Sequence, residues 1–249
     1  MPFTVSHAAL VVPFTWLPRR YLSATGLIIG SMVPDFLYFI SLDPYLSAGH
    51  RLPGIFIYDI PLALLFAFLY HGLLRQTLIR WAPQWAAARL SRFGSFNWPK
   101  YFSQHYIAVI FSILLGVYSH LFLDAFTHGH GYFVQHLPAL QAAVDLPGKT
   151  MPGWYLMQFI TSILGLIVLF YFFFRIPVRK RGGITFTHKL FFWLLTGALA
   201  SIILLVNERY HHIDCKGLDY LAVVMGGVMY AFVVMAVAFN KRSVGVLSR

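Results

Sequence analysis

The sequence predicts an all-α fold, a polytopic membrane helix bundle, and three observations predict it. Hydrophobic residues make up 59% of the 249 positions, where a soluble globular chain carries about 45–50%. Charged residues make up 11%, against about 25% in soluble domains, too few to cover a water-facing surface. The apolar residues also fall in runs of roughly 20, the length that crosses the hydrocarbon as a helix. The same composition excludes other classes. A disordered chain carries far less apolar area, and the single cysteine, Cys215, cannot build a disulfide framework. The net charge of +11 does not mark a nucleic-acid binder, because the basic residues cluster between apolar runs.

Taken in order, the elements form one integral membrane domain over residues 1–249. A short apolar stretch at about 5–17 opens the chain, too short to cross alone. It has neither the basic leader nor the small-residue cleavage site of a signal peptide. Six full spans follow, at about 21–42, 53–74, 104–126, 154–174, 189–206 and 218–239. The run 154–174 holds no charge at all. The connection at about 75–103 is basic, carries Trp81, Trp85 and Trp98, and is broken by Pro83; it reads as a segment lying on the membrane surface. The connection at about 127–153 is rich in histidine and glycine.

Basic residues set the orientation. Arg19 and Arg20, the group from Arg75 to Lys100, the group from Arg175 to Lys189, and the tail residues Lys241, Arg242 and Arg249 alternate onto one face. That face holds fifteen of the nineteen lysines and arginines, and is therefore cytoplasmic, with the C-terminus on it. A bacterial inner membrane is the expected location. All eight acids (Asp35, Asp43, Asp59, Asp124, Asp145, Glu208, Asp214 and Asp219) lie on the opposite face or in the outer half of a span. Most histidines lean the same way.

Several of these polar residues share one depth. Asp35, Asp59 and His120 each lie about 9–10 Å below the outer boundary, at 1.5 Å per residue. His120 and Asp124 are four apart, one turn along one helical face, and His128 continues that face. His50 sits in the outer turn between the first two spans. If 5–17 and 21–42 form a hairpin turning near Pro18-Arg19-Arg20, His7 climbs to nearly the depth of Asp35. An isolated intramembrane aspartate can be protonated, or can cap a helix broken at Pro34 or Pro61. Several together, with Arg51 the only nearby base, are better explained by a divalent cation, for which carboxylates and imidazoles are ordinary ligands.

These residues resemble a bacterial family of multi-pass membrane proteins described as predicted membrane-bound metal-dependent hydrolases. The resemblance rests on Met1-Pro2-Phe3-Thr4 with Ser6-His7, Pro34-Asp35, His50, Asp59-Ile60-Pro61 with His71, and Ser119-His120 with Asp124, Thr127 and His128. More distantly, the chain is similar to the secreted zinc-dependent phospholipases C and single-strand nucleases. Their pattern matches His7, Asp35, His50, and His120 with Asp124. The resemblance implies phosphoester hydrolysis at zinc. Two departures, the six residues ahead of His7 and the missing late His-x-x-x-Glu pair, reduce the expected three metals to one or two.

The expected ligands are thus His7, Asp35, His50, His120, Asp124 and His128, with Asp35 or Asp59 accepting a proton. Arg51 and His130 are the candidate substrate-binding residues. The expected cofactor is a divalent ion, zinc by preference, one or two per chain. A shallow site in the outer half of the membrane suits a lipid or lipid-linked phosphate, and no nucleic acid is expected as a partner. Two alternatives stay open: a transporter or flippase using the same groups without bond cleavage, and a metal-stapled protein without turnover. His211-His212-x-Asp214 reads as an exposed polar turn. His71, about 18 Å further along its helix than Asp59, cannot join the cluster.

Overall fold

The computed structural model describes residues 3–179, 183–212 and 219–239. The described residues form an all-α, polytopic architecture. Five helices are long and apolar enough to cross a membrane: Leu52–Trp81, Trp98–His136, Gly153–Phe174, Phe186–Tyr210 and Asp219–Ala238. Ala24–Gly30 and Val33–Ser41, bent by 44° at the break between them, make a sixth if the pair is one broken span. Gly153–Phe174 agrees with the expected span to a residue. Leu52–Trp81 runs seven residues past the expected end. Hydropathy stops at Arg75, but that side chain is buried and donates to the Phe96 carbonyl at 2.7 Å, so the helix continues. It ends where Pro83 forces Ala82 into an extended conformation (ψ 152°).

The chain divides into two compact units. The first comprises Met1–Phe36, Ser47–Leu64 and His105–Phe174. Its N-terminal arm is a run of short helical turns, Thr4–His7, Ala8–Val11 and Val12–Trp16, that packs on the Gly153–Phe174 helix. The chain then turns, with Tyr21 N donating to Pro18 O at 2.9 Å. The Ser23 side chain caps Ala24–Gly30 by accepting from Gly26 N. That helix meets the Trp98–Thr127 helix backbone to backbone. A Cβ on Gly30 would stand 2.4 Å from Ile113 O, and one on Gly116 would stand 2.6 Å from Ser31 N. Small residues at such a crossing let two helices approach closely. The connection after Thr127 is not only loop. It holds a two-stranded antiparallel hairpin, Ala143–Leu146 with Lys149–Pro152, pairing Val144 with Met151 and turning at Pro147-Gly148.

The second unit comprises Leu37–Leu46, Leu65–Gln104 and Arg175–Arg249. Trp81 stacks on Phe192 at 4.6 Å, with Met235 beside them. Lys189 Nζ donates to Ala82 O at 2.6 Å and Trp193 Nε1 to Trp81 O at 3.0 Å. These bonds satisfy carbonyls that the end of the Leu52–Trp81 helix leaves without partners. Trp81 and Trp98 are buried, whereas Trp85 is exposed. The surface-lying reading of 75–103 therefore fails for two of its three tryptophans. Their indoles stack on neighbouring rings inside the protein.

Candidate metal centre

The centre lies wholly within the first unit. Its geometry begins with a broken helix. Pro34 has no N–H for the Gly30 carbonyl, and Asp35 N turns to Met32 O at 3.2 Å. The Ser31 carbonyl is thereby released from the helical ladder. It contacts His120 Nδ1 at 2.9 Å. A carbonyl only accepts, so His120 Nδ1 carries a proton, and in the neutral ring the Nε2 lone pair faces the cluster. This outer partner fixes the ring as a ligating histidine is usually fixed.

Two triads share the His50–His120 edge, one closed by Asp35 and one by Asp124. His50 Nε2 lies 3.3 Å from His120 Nε2, 3.4 Å from Asp35 Oδ1 and 3.4 Å from Asp124 Oδ2. His120 Nε2 lies 3.5 Å from Asp35 Oδ1 and 3.2 Å from Asp124 Oδ2. Ligands bound at 2.0–2.2 Å to a tetrahedral cation stand about 3.3–3.6 Å from one another. Within each triad the measured spacings, 3.2–3.5 Å, are close to such edges. Asp35 is fully engaged, because its Oδ2 accepts from Thr4 Oγ1 at 2.5 Å. His120 is wholly buried, and Asp35 and Asp124 are nearly so.

His7 borders this group. Its ring stacks on His120 at 3.8 Å between centroids, and its Nε2 lies 3.7 Å from Asp124 Oδ1. The residue is 0% exposed, yet neither ring nitrogen has a hydrogen-bond partner among the described residues. Buried imidazole nitrogens are rarely left so; a cation would engage one of them. His7, Asp35 and His120 also offer ligand atoms within 4.8 Å of one another. His128 Nδ1 approaches the same Asp124 oxygen at 3.4 Å. The donor set could therefore hold a divalent cation, for which carboxylates and imidazoles are ordinary ligands. His50 lies outside the spans. Burial pulls its imidazole down, but its contacts with Asp124 and Asp35 outweigh this and hold it up at about 9.

Asp59 stands apart from the ligand group. It is 0% exposed, and neither carboxylate oxygen has a hydrogen-bond partner among the described residues. A tight turn brings it near: a Cβ on Gly49 would stand 2.6 Å from Asp59 Oδ1 and 2.8 Å from Pro34 O. Only a glycine lets the turn that carries His50 pass so close to both.

Of the residues singled out from sequence, the structure brings together His7, Asp35, His50, His120, Asp124 and His128. Arg51 and His130 are exposed and form no ion pair with the cluster among the described residues. His211 and His212 are exposed, with His212 paired to Glu208; Asp214 lies outside the described residues. Thr4 stands in the opening motif without an assigned role, and nothing in the sequence assigns one to the Ser31 carbonyl. The only hint of the second was Pro34, whose missing N–H breaks the ladder there.

No curated protein and no solved structure matches the chain. A family model does match, over residues 1–241, and the chain belongs to that family, the domain of unknown function DUF4184.

Proposed function

We propose that the protein is a membrane-embedded metal-dependent hydrolase acting on a phosphoester of a lipid or lipid-linked substrate. The observation that carries this reading is the set of spacings from 3.2 to 3.5 Å among His50, His120, Asp35 and Asp124. Those four residues would hold the ion, with His7 and His128 on the second oxygen of Asp124. A bound divalent cation supplies a Lewis acid and makes water a usable nucleophile at neutral pH.

The chain's own residues divide the remaining work. Asp35 spends one oxygen on Thr4 and the other on the cluster, which leaves Asp59 as the proton acceptor. Both Asp59 oxygens are free for that task, and its burial keeps bulk water from competing. Ser31 holds the His120 tautomer. Arg51, beside His50 in sequence, and His130 are exposed cations or donors for the substrate phosphate. With fifteen of nineteen basic residues on one face, the site opens toward the extracytoplasmic leaflet of a bacterial inner membrane.

The test is direct. Purified protein is assayed for bound metal and for release of phosphate or phosphoalcohol from a panel of lipid and lipid-linked phosphates. Zinc or manganese at one or two per chain, with turnover removed by chelation, is expected. Metal without turnover of any phosphoester overturns the hydrolase and leaves a metal-stapled protein. Ion or lipid movement without bond cleavage makes it a transporter.

A further inference from the structure

A second polar site lies in the second unit, built on residues the proposed hydrolase does not use. Arg75 is only 7% exposed, and no carboxylate pairs with it among the described residues. Its Nη1 donates to Phe96 O at 2.7 Å and meets His71 Nδ1 at 3.1 Å. A guanidinium has donors only, so His71 accepts on Nδ1 and carries its proton on Nε2. Both bonds run through Nη1, and Arg75 Nε is buried with no hydrogen-bond partner. A buried cation without a counter-charge is costly in or near a bilayer. An anion on the remaining edge of the fork would remove that cost.

The surroundings form a cavity of about 370 Å³ lined by Phe68, His71, Gly72, Arg75, the Gly94–Asn97 loop and Trp98. That volume is within the range of small-molecule sites. The loop is anchored, since Gln76 Nε2 donates to Gly94 O at 2.6 Å while Arg75 holds Phe96. His71 is fixed by stacking on Trp98 at 4.7 Å and 7°. The long helix Trp98–Thr127 begins at the same place, its first turn capped by Asn97 Oδ1, so its dipole also favours an anion. Phe68, Phe96 and Trp98 give the cavity an apolar wall beside the charge.

We propose that this cavity binds a phosphate group, with Arg75 and His71 as its donors and the aromatic wall receiving the apolar body that carries it. An anionic phospholipid headgroup meets both halves of the site; free phosphate meets only the polar half. Basic pockets of this kind between membrane helices take anionic headgroups.

The experiment uses the full-length protein in neutral detergent micelles with two probes, phosphatidylglycerol and inorganic phosphate. Phosphatidylcholine serves as the comparison lipid, and binding is read by native mass spectrometry and by titration. Two variants are measured. Arg75→Gln removes the cation, and Gly72→Leu fills the cavity, since a Cβ at Gly72 meets nothing within 4 Å. The wild type is expected to retain phosphatidylglycerol over phosphatidylcholine, and each variant to weaken it by about tenfold or more. Competition by inorganic phosphate, lost in both variants, identifies free phosphate as the ligand; lipid binding without such competition identifies the headgroup. The proposal is overturned if Gly72→Leu binds both probes as the wild type does, or if the wild type binds neither. Thermal melting of Gly72→Leu, expected to match the wild type, separates a filled cavity from a misfolded chain.

Discussion

His50 Nε2 lies 3.3 Å from His120 Nε2 although 70 residues separate the two. His120 spends its Nδ1 proton on Ser31, so in the neutral ring its Nε2 offers a lone pair. His50 must either donate a proton across that gap or turn its own lone pair to the same cation. The choice between proton and metal makes the centre testable.

Metal binding should expel the His50 proton. Without metal, His50 is raised to about 9, against about 6.5 for a free imidazole. This protonation stabilises the metal-free fold fully below about pH 6.5, and the stabilisation is lost as pH rises through about 9. Zinc needs the neutral ring, so at pH 7 its binding should release about one proton from this residue and weaken on acidification. Calorimetry in buffers of different ionisation enthalpy measures the release. His50→Gln should reduce it by about one proton; an unchanged release would place the coupling elsewhere.

Asp124 is the common partner of His7, His50, His120 and His128. Asp124→Ala should lower metal affinity by more than about 100-fold, the upper end of what losing an outer partner alone costs. His211→Ala, at an exposed turn, should leave bound metal unchanged. Metal analysis of the two purified variants checks the pair, and equal losses would mean a different cluster.

Asp59→Asn keeps the shape of the side chain and removes the proton acceptor. Metal content and fold should survive, while phosphoester turnover falls about 100-fold or more. The change also removes a buried charge, so thermal stability is expected to hold or rise. Metal lost together with activity would make Asp59 a ligand.

Gly49→Ala places a methyl 2.6 Å from Asp59 Oδ1 and 2.8 Å from Pro34 O. Pro34 is backbone and cannot yield cheaply, so the turn carrying His50 must move. We expect a loss of about 1–3 kcal/mol in stability and weaker metal binding, read by thermal melting and by competition with a zinc chelator. A variant with unchanged affinity would show that His50 is dispensable.

Orientation is tested separately. A reporter fused after Arg249 should be active only in its cytoplasmic form. Activity on the other side would turn the metal centre toward the cytoplasm.

The spans were legible in the sequence because the bilayer responds to local composition. A run such as Gly153–Phe174 is apolar wherever it is placed, and its limits emerged to a residue. The candidate cluster was legible for a related reason: aspartates and histidines are costly at membrane depth and stand out against apolar neighbours. Tertiary structure alone decided how they meet. The spacings of His7, Asp35, His50 and His120 along the chain say nothing of helix rotation. That rotation depends on the Gly30–Gly116 contact, which sets Ser31 against His120, and on the Gly49 turn, which brings His50 beside Asp35 and Asp59. The Thr4–Asp35 bond and the Arg75–His71 pair were invisible for the same reason. Hydropathy scores Arg75 as an exposed loop charge, and only packing against Phe96 and His71 makes it a buried one. Periodicity reports which residues share a face; contact between faces is a property of the folded chain.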